Sequence, residues 1–252
     1  MNKKFVKLLS LLMGVGLAFS MTACNVEFKF GKKDDTTVID NTVKGGDALD
    51  DKKFDNEKDN TKNDIEETDT FLYKDGVTDY KIVIPAESVN KETEEMAASE
   101  LKFFMNDATG IMFEVIDDSK ITYKEDGSYD FNSKYISIGD TKIFESTDIK
   151  DGENYNESYL GLDGYIIKTI GNTVVINAVG NNGKLYGAYG FLRRNMNYRF
   201  YGENCWKIDS DDSKLLKNMD IVDIPDFQSR YLDEYKYQSD KATQLRYREH
   251  GS

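Results

Sequence analysis

Histidine and cysteine are nearly absent from this chain: 252 residues contain one His and two Cys. That scarcity excludes a zinc site built from thiolates and imidazoles, which takes about four such ligands. Neither H-E-x-x-H nor G-x-S-x-G occurs, so the sequence offers no metalloprotease helix and no hydrolase nucleophile elbow. Positive charge is in deficit as well. Lys and Arg number 33 against 46 Asp and Glu, for a net charge of -13, which argues against electrostatic capture of nucleic acid or of an anionic membrane surface. No repeat recurs at a fixed period. The acid-rich stretch DKKFDNEKDNTKND lacks the D-x-D-x-D-G spacing of a calcium loop. A solute receptor with two sizeable lobes is also disfavoured, because the chain holds one folded region. No cofactor and no metal is expected.

The amino terminus has the form of an export leader. Lys3, Lys4 and Lys7 precede a short apolar run, Leu8 to Phe19, and Met21-Thr22-Ala23-Cys24 comes next. Small residues before a cysteine mark a lipoprotein signal peptide over residues 1–23. The run is shorter than the about 20 apolar residues of a membrane-spanning helix. The alternative is an ordinary secretory signal with a chance cysteine. On the lipoprotein reading Cys24 becomes the lipidated amino terminus, and the chain is exported and anchored with its domain facing outside. Cys205 then has no intramolecular disulfide partner, and the fold must be held by its core.

Residues 24–70 are rich in Asp, Lys, Asn and Thr and poor in large apolar side chains, the composition of a hydrated tether. The globular domain is placed at 71–224. Tyr80 to Ile84 reads as a strand closed by Pro85. Lys91 to Ala108 reads as a helix with Ala97, Leu101, Phe104, Met105 and Ala108 on one face, Asn90 as its cap and Gly110 as its stop. Met112–Ile116 and Tyr135–Gly139 are strands, the second of half-buried type, and Asp148–Ser158 is a polar segment. Tyr165–Ile170 and Thr173–Val179 form a hairpin about Gly171-Asn172, a two-residue loop suited to a primed turn. A second amphipathic helix comes after Gly180-Asn181-Asn182-Gly183, with Leu185, Tyr189, Leu192 and Met196 on one face. Met219–Ile224 is a last short strand. The predicted class is α+β: a two-layer sandwich with two helices packed on one face of a single mixed sheet.

The run GLDGYIIKTIGNTVVINAVGNNGKLYGAYGFLRRNMNYRFYGENCW resembles the amino-terminal domain of bacterial glycoside hydrolases of the α-glucuronidase and β-hexosaminidase type. Gly164-Tyr165, Gly183, Tyr186-Gly187, Phe191-Leu192 and Tyr198-Arg199-Phe200-Tyr201 carry the likeness, which extends more weakly from about Tyr80 to Arg230. The resemblance implies a small α+β domain without catalytic residues, set beside a (β/α)8 barrel that performs the hydrolysis. Ile224-Pro225-Asp226-Phe227-Gln228-Ser229-Arg230 resembles the family's lead into the first barrel strand. Residues 225–252 are read as that lead, cut short of a barrel of about 250 residues.

No Asp or Glu can be named as an acid or nucleophile, since glycoside hydrolysis needs two carboxyls at a set separation that sequence does not reveal. The Gly180–Lys184 turn opens a helix after a strand, yet matches neither G-x-G-x-x-G nor the P-loop, and tight-turn geometry is the preferred account of its glycines. Gly187 and Gly190 point to close helix–sheet packing. The candidate functional residues are Arg193, Arg194, Tyr198, Arg199, Tyr201, Trp206 and Arg230. Aromatic rings with arginines suit either a glycan or an interface with the barrel, and the interface is preferred. The function expected is an accessory domain of an enzyme acting on uronic-acid- or hexosamine-bearing polysaccharide; the alternative is a stand-alone carbohydrate-binding lipoprotein.

Overall fold

The computed structural model describes residues 65–202, 204–226 and 241–247. The signal peptide, Cys24, most of the tether and Arg230 lie outside these residues. Among the described residues no helix is long and apolar enough to cross a membrane.

Six strands form the central mixed sheet: β2 (Lys81–Ile84), β3 (Glu114–Asp117), β4 (Tyr135–Ile138), β5 (Tyr165–Ile170), β6 (Thr173–Asn177) and β10 (Asp220–Asp223). Their order is β10-β5-β6-β4-β2-β3. β3, β2, β4 and β6 run parallel, whereas β5 is antiparallel to β6 and β10 to β5. The β5–β6 hairpin pairs Ile166 with Asn177 and Ile170 with Thr173. Gly171 turns it at φ +57 while Asn172 keeps a negative φ, the pattern of a type II′ turn.

Two long helices, α1 (Lys91–Thr109) and α4 (Asn181–Met196), cover one face. Side chains alternate along each strand, so Ile82, Ile136, Ile138, Tyr165, Ile167, Val174 and Ile176 meet α1 residues Ala97, Leu101, Phe104 and Met105 in the main core. The expected α+β sandwich is therefore present. Asn90 stands at the start of α1, but its side chain makes no capping bond; the stop at Gly110 is left-handed, φ +70. Gly187 and Gly190 sit where α4 meets the sheet. An added Cβ would lie 2.5 Å from Ile176 at the first and 2.5 Å from the Tyr165 hydroxyl at the second, so close approach is what these glycines supply.

The opposite face is covered too. Val83, Ile116, Ile166 and Val175 lie under Ile121, Tyr129, Ile143, Phe144 and Leu160. These come from the loop after β3 and two short helices, α2 (Lys142–Glu145) and α3 (Glu157–Leu160), capped by Thr141 and Asn156. β4 is consequently buried on both sides rather than half-buried: Ser137 is enclosed and shares a 2.6 Å hydrogen bond with Thr141. The segment that buries it is too polar and irregular to show as a layer in the sequence.

Two small sheets flank this body. β1 (Glu67–Lys74) pairs antiparallel with β9 (Ser213–Lys217) across a shift in register. Strand β1 thus begins before Phe71, within the stretch read as the end of the tether, and its ladder partners lie far along the chain. β7 (Arg199–Gly202) and β8 (Cys205–Lys207) form a hairpin. A short helix, α5 (Lys241–Arg246), is the last described element.

Candidate functional site

The residues singled out from the sequence fall into three settings. Arg194, in the last turn of α4, is turned inward. Its Nη1 donates to the Tyr165 hydroxyl and to the Gly190 carbonyl, both at 3.2 Å, and its Nη2 lies 3.4 Å from Asp223 Oδ2. Tyr165 donates to the same carboxylate at 2.6 Å. Arg194 therefore ties α4 to β5 and β10 and offers nothing to a ligand. Tyr198 is also buried, tilted against Phe104 at 4.5 Å and stacked on Tyr189 at 6.0 Å. Arg193 is half-buried on α4.

The second setting is an aromatic face made by α1 and the β7–β8 hairpin. Asn197 ends α4 in the left-handed conformation, φ 52, which redirects the chain into β7. Arg199 Nη1 donates to the Tyr198 carbonyl. Trp206 donates through Nε1 to Asp107 Oδ2 at 3.0 Å and meets Phe103 and Phe104 edge-on at 5.9 and 5.5 Å. Phe103 is 45 % exposed and Tyr201 63 %. Arg230 lies outside the described residues.

Several members of this face were not singled out from the sequence. Glu100 on α1 accepts from the Tyr189 hydroxyl at 2.8 Å and from Arg246 Nε and Nη2 at 2.8 and 2.9 Å. The Arg246 guanidinium stands 5.2 Å over the Phe104 ring and 5.8 Å over Phe200. Tyr247 packs edge-on against Phe200 at 4.9 Å and donates its hydroxyl to the Tyr201 carbonyl at 3.0 Å. Leu245 and Thr243 are buried. The downstream segment thus lies on the aromatic face. The one available signal for Glu100 was its helical register, one residue from core Leu101. Arg246 sits in a tail whose composition gave no reason to single it out.

The third setting is the Gly180–Lys184 turn. Lys184 faces inward: it is 1 % exposed, its Nζ lies 3.2 Å from Asp140 Oδ2 and 3.6 Å from Glu94 Oε1, and Glu94 is itself 1 % exposed. Asn177 donates to the other Asp140 oxygen at 3.0 Å. The lysine that suggested phosphate binding is therefore committed to two acids of its own chain. The glycines here do not need a left-handed turn. Gly180 has φ -85, and an added Cβ would stand 2.0 Å from the Leu162 carbonyl oxygen; at Gly183 it would stand 2.5 Å from the Gly164 carbonyl. Close backbone approach replaces tight-turn geometry as their reason. A cleft of 340 Å³ opens beside the turn, lined by Glu157, Leu162, Val179, Gly180, Asn181 and Asn182, and the Glu157 carboxylate in its lining opposes an anion.

Among the described residues no group of three or more His, Cys, Asp or Glu could hold a metal ion. Cys205 is half-buried in β8 as a free thiol. No family model matches the chain, and no curated protein does. Among solved structures the chain is similar in part to CpGH84D, with a TM-score of 0.29 and 13 % identity over 61 % of this chain. The match spans 22 % of that protein's length.

Buried phenols give the domain a defined alkaline limit. Burial pushes Tyr129 up to about 12 and raises Tyr80, Tyr155, Tyr189 and Tyr198 further. A folded-state pKa above the ordinary 10.0 favours the native state fully below pH 10, and that contribution is lost as pH rises through the folded values. Thermal melting followed against pH should fall above pH 10, with the phenolate absorbance of these buried tyrosines appearing together with unfolding. A melting temperature unchanged between about pH 10 and about pH 12 would contradict this.

Proposed function

We propose that this chain is an outward-facing lipoprotein, anchored through Cys24, whose α+β domain is the accessory, non-catalytic part of a polysaccharide-degrading glycoside hydrolase of α-glucuronidase type. The reading is supported by the residues from Gly164 to Tyr201 that resemble that family's amino-terminal domain. One observation carries it: the aromatic face is engaged by the chain's own downstream segment, through Arg246 on Glu100 and Tyr247 on Tyr201. A face that receives a later segment of its own chain behaves as a seam between modules. Rings, an arginine and hydrogen bonds are the composition of such interfaces.

The test is the size of the native lipoprotein in membranes of the source cells, detected with an antibody to this domain. A species well above the mass of this chain, co-purifying with hydrolysis of a uronic-acid- or hexosamine-bearing polysaccharide, is the expected result. A species of this chain's own mass, without such activity, sinks the reading. The second reading, a stand-alone glycan-binding lipoprotein, is favoured by the exposure of Tyr201 and by that of Phe103, which packs edge-on against Trp206. It requires glycan affinity that Tyr201→Ala abolishes while the fold persists.

A further inference from the structure

We propose that the face between α1 and the β7–β8 hairpin is a guanidinium-recognition site, and that residues 241–247 form a strap latched into it by Arg246. The inference stands on this contact itself and does not depend on the glycoside-hydrolase reading.

The site has the parts that planar cation recognition needs. Glu100 presents both carboxylate oxygens to Arg246, one to Nε and one to Nη2, the parallel pairing that a guanidinium makes and an ammonium does not. The rings of Phe104 and Phe200 lie 5.2 and 5.8 Å from the guanidinium carbon, within the range at which a ring face attracts a cation. Glu100 is held in place from beneath by the Tyr189 hydroxyl at 2.8 Å, so the acceptor is set by the core and not by the strap. Both partners are mostly buried, each 17 % exposed, which strengthens the pair relative to a surface ion pair. Hydrogen bonding to Glu100 is the main cause that holds the guanidinium more firmly protonated than usual.

Tyr247 adds a hydroxyl bond to the Tyr201 carbonyl and an edge-on contact with Phe200, and Thr243 and Leu245 are buried. A six-residue helix has little stability of its own. Arg246 supplies the charged, two-point contact of the strap, and its release bares rings that the strap now covers.

The experiment uses the full chain and its variants Arg246→Ala, Arg246→Lys and Glu100→Gln. Backbone amide exchange over 241–247 reads strap docking. Emission of Trp206, the single tryptophan, reads the site, because its ring touches Phe104. Exchange of the strap should rise by about tenfold to a hundredfold in Arg246→Ala, the scale of a lost charged hydrogen-bond pair. Lysine should not restore it. Methylguanidinium should produce a saturable Trp206 change in Arg246→Ala and none in the wild type, where Arg246 already fills the site; methylammonium should produce none in either. Adding Glu100→Gln to Arg246→Ala should abolish the methylguanidinium response. Strap exchange unchanged in Arg246→Ala, wild-type exchange in Arg246→Lys, or no saturable methylguanidinium response overturns the proposal. If Arg246→Ala does not fold, Glu100→Gln alone decides: faster exchange confined to 241–247 supports the latch, and unchanged exchange refutes it.

Discussion

Lys184→Met is expected to destabilise the domain by about 3–5 kcal/mol, the cost of removing one partner from a buried ion pair. Methionine keeps the length and the apolar stem of lysine, so packing changes little. What changes is the charge. Glu94, 1 % exposed, keeps its buried carboxylate and loses the ammonium at 3.6 Å. Its Oε2 has no hydrogen-bond partner already, and Oε1 is left with the Asp140 amide at 3.4 Å. Asp140 is 42 % exposed at its side chain and can turn to water, so the penalty falls mainly on Glu94. Urea unfolding should show a lower midpoint at unchanged slope. The double variant Glu94→Gln with Lys184→Met should recover part of the loss, because it removes the stranded charge. A midpoint within experimental error of the wild type in Lys184→Met would mean that Lys184 is not the counter-charge that holds the starts of α1 and α4 together.

Gly180→Ala is expected to cost about 3 kcal/mol, at the upper end for overpacking a filled site. The backbone at Gly180 is extended, φ -85 and ψ 158, a conformation that alanine adopts without strain, so its dihedrals do not forbid the change. The obstacle is the Leu162 carbonyl oxygen, 2.0 Å from where the Cβ would stand, with the Leu162 carbonyl carbon at 2.6 Å. A flexible side chain could move aside, but here the neighbour is backbone. The loop between α3 and β5 must shift, and with it the cleft wall formed by Leu162 and Val179. Denaturation of Gly180→Ala beside Gly110→Ala separates the two roles of glycine. Gly110 has φ +70 and open space around a Cβ, so its loss is conformational strain, about 1 kcal/mol. Equal losses at the two positions would argue against close approach as the reason for Gly180.

Much of the architecture was legible along the chain because it is carried by local periodicity. The β5–β6 hairpin has its β-branched residues, its two-residue turn and its pairing in one stretch, and both α1 and α4 show an apolar face at helical spacing. These signals lie within about ten to twenty residues, the range over which a sequence pattern reports structure. β1 and β9 were not legible for the opposite reason. β1 opens on the polar run Glu67-Thr68-Asp69-Thr70, β9 carries Ser213, Lys214 and Lys217 in five residues, and each becomes a strand only by pairing with the other, well over a hundred residues away, Phe71 against Leu215. The same holds for the cover of the second sheet face, where α2 and α3 are four residues each.

The candidate site divides along the same line. Composition by itself argues against a thiolate and imidazole zinc site and against electrostatic capture of nucleic acid, and residue order determined that rings and arginines gather at the end of α4 and beyond it. Only the tertiary structure decided which of them face outward. Arg194 and Tyr198 went to the core, Tyr201 to the surface, and Glu100 with Arg246 became partners across 146 positions. It also decided that Lys184 answers Glu94 and Asp140 and not an anion at the turn. The physical reason is that charge pairing and burial depend on distance in space, which the chain sets only when its distant segments close on one another.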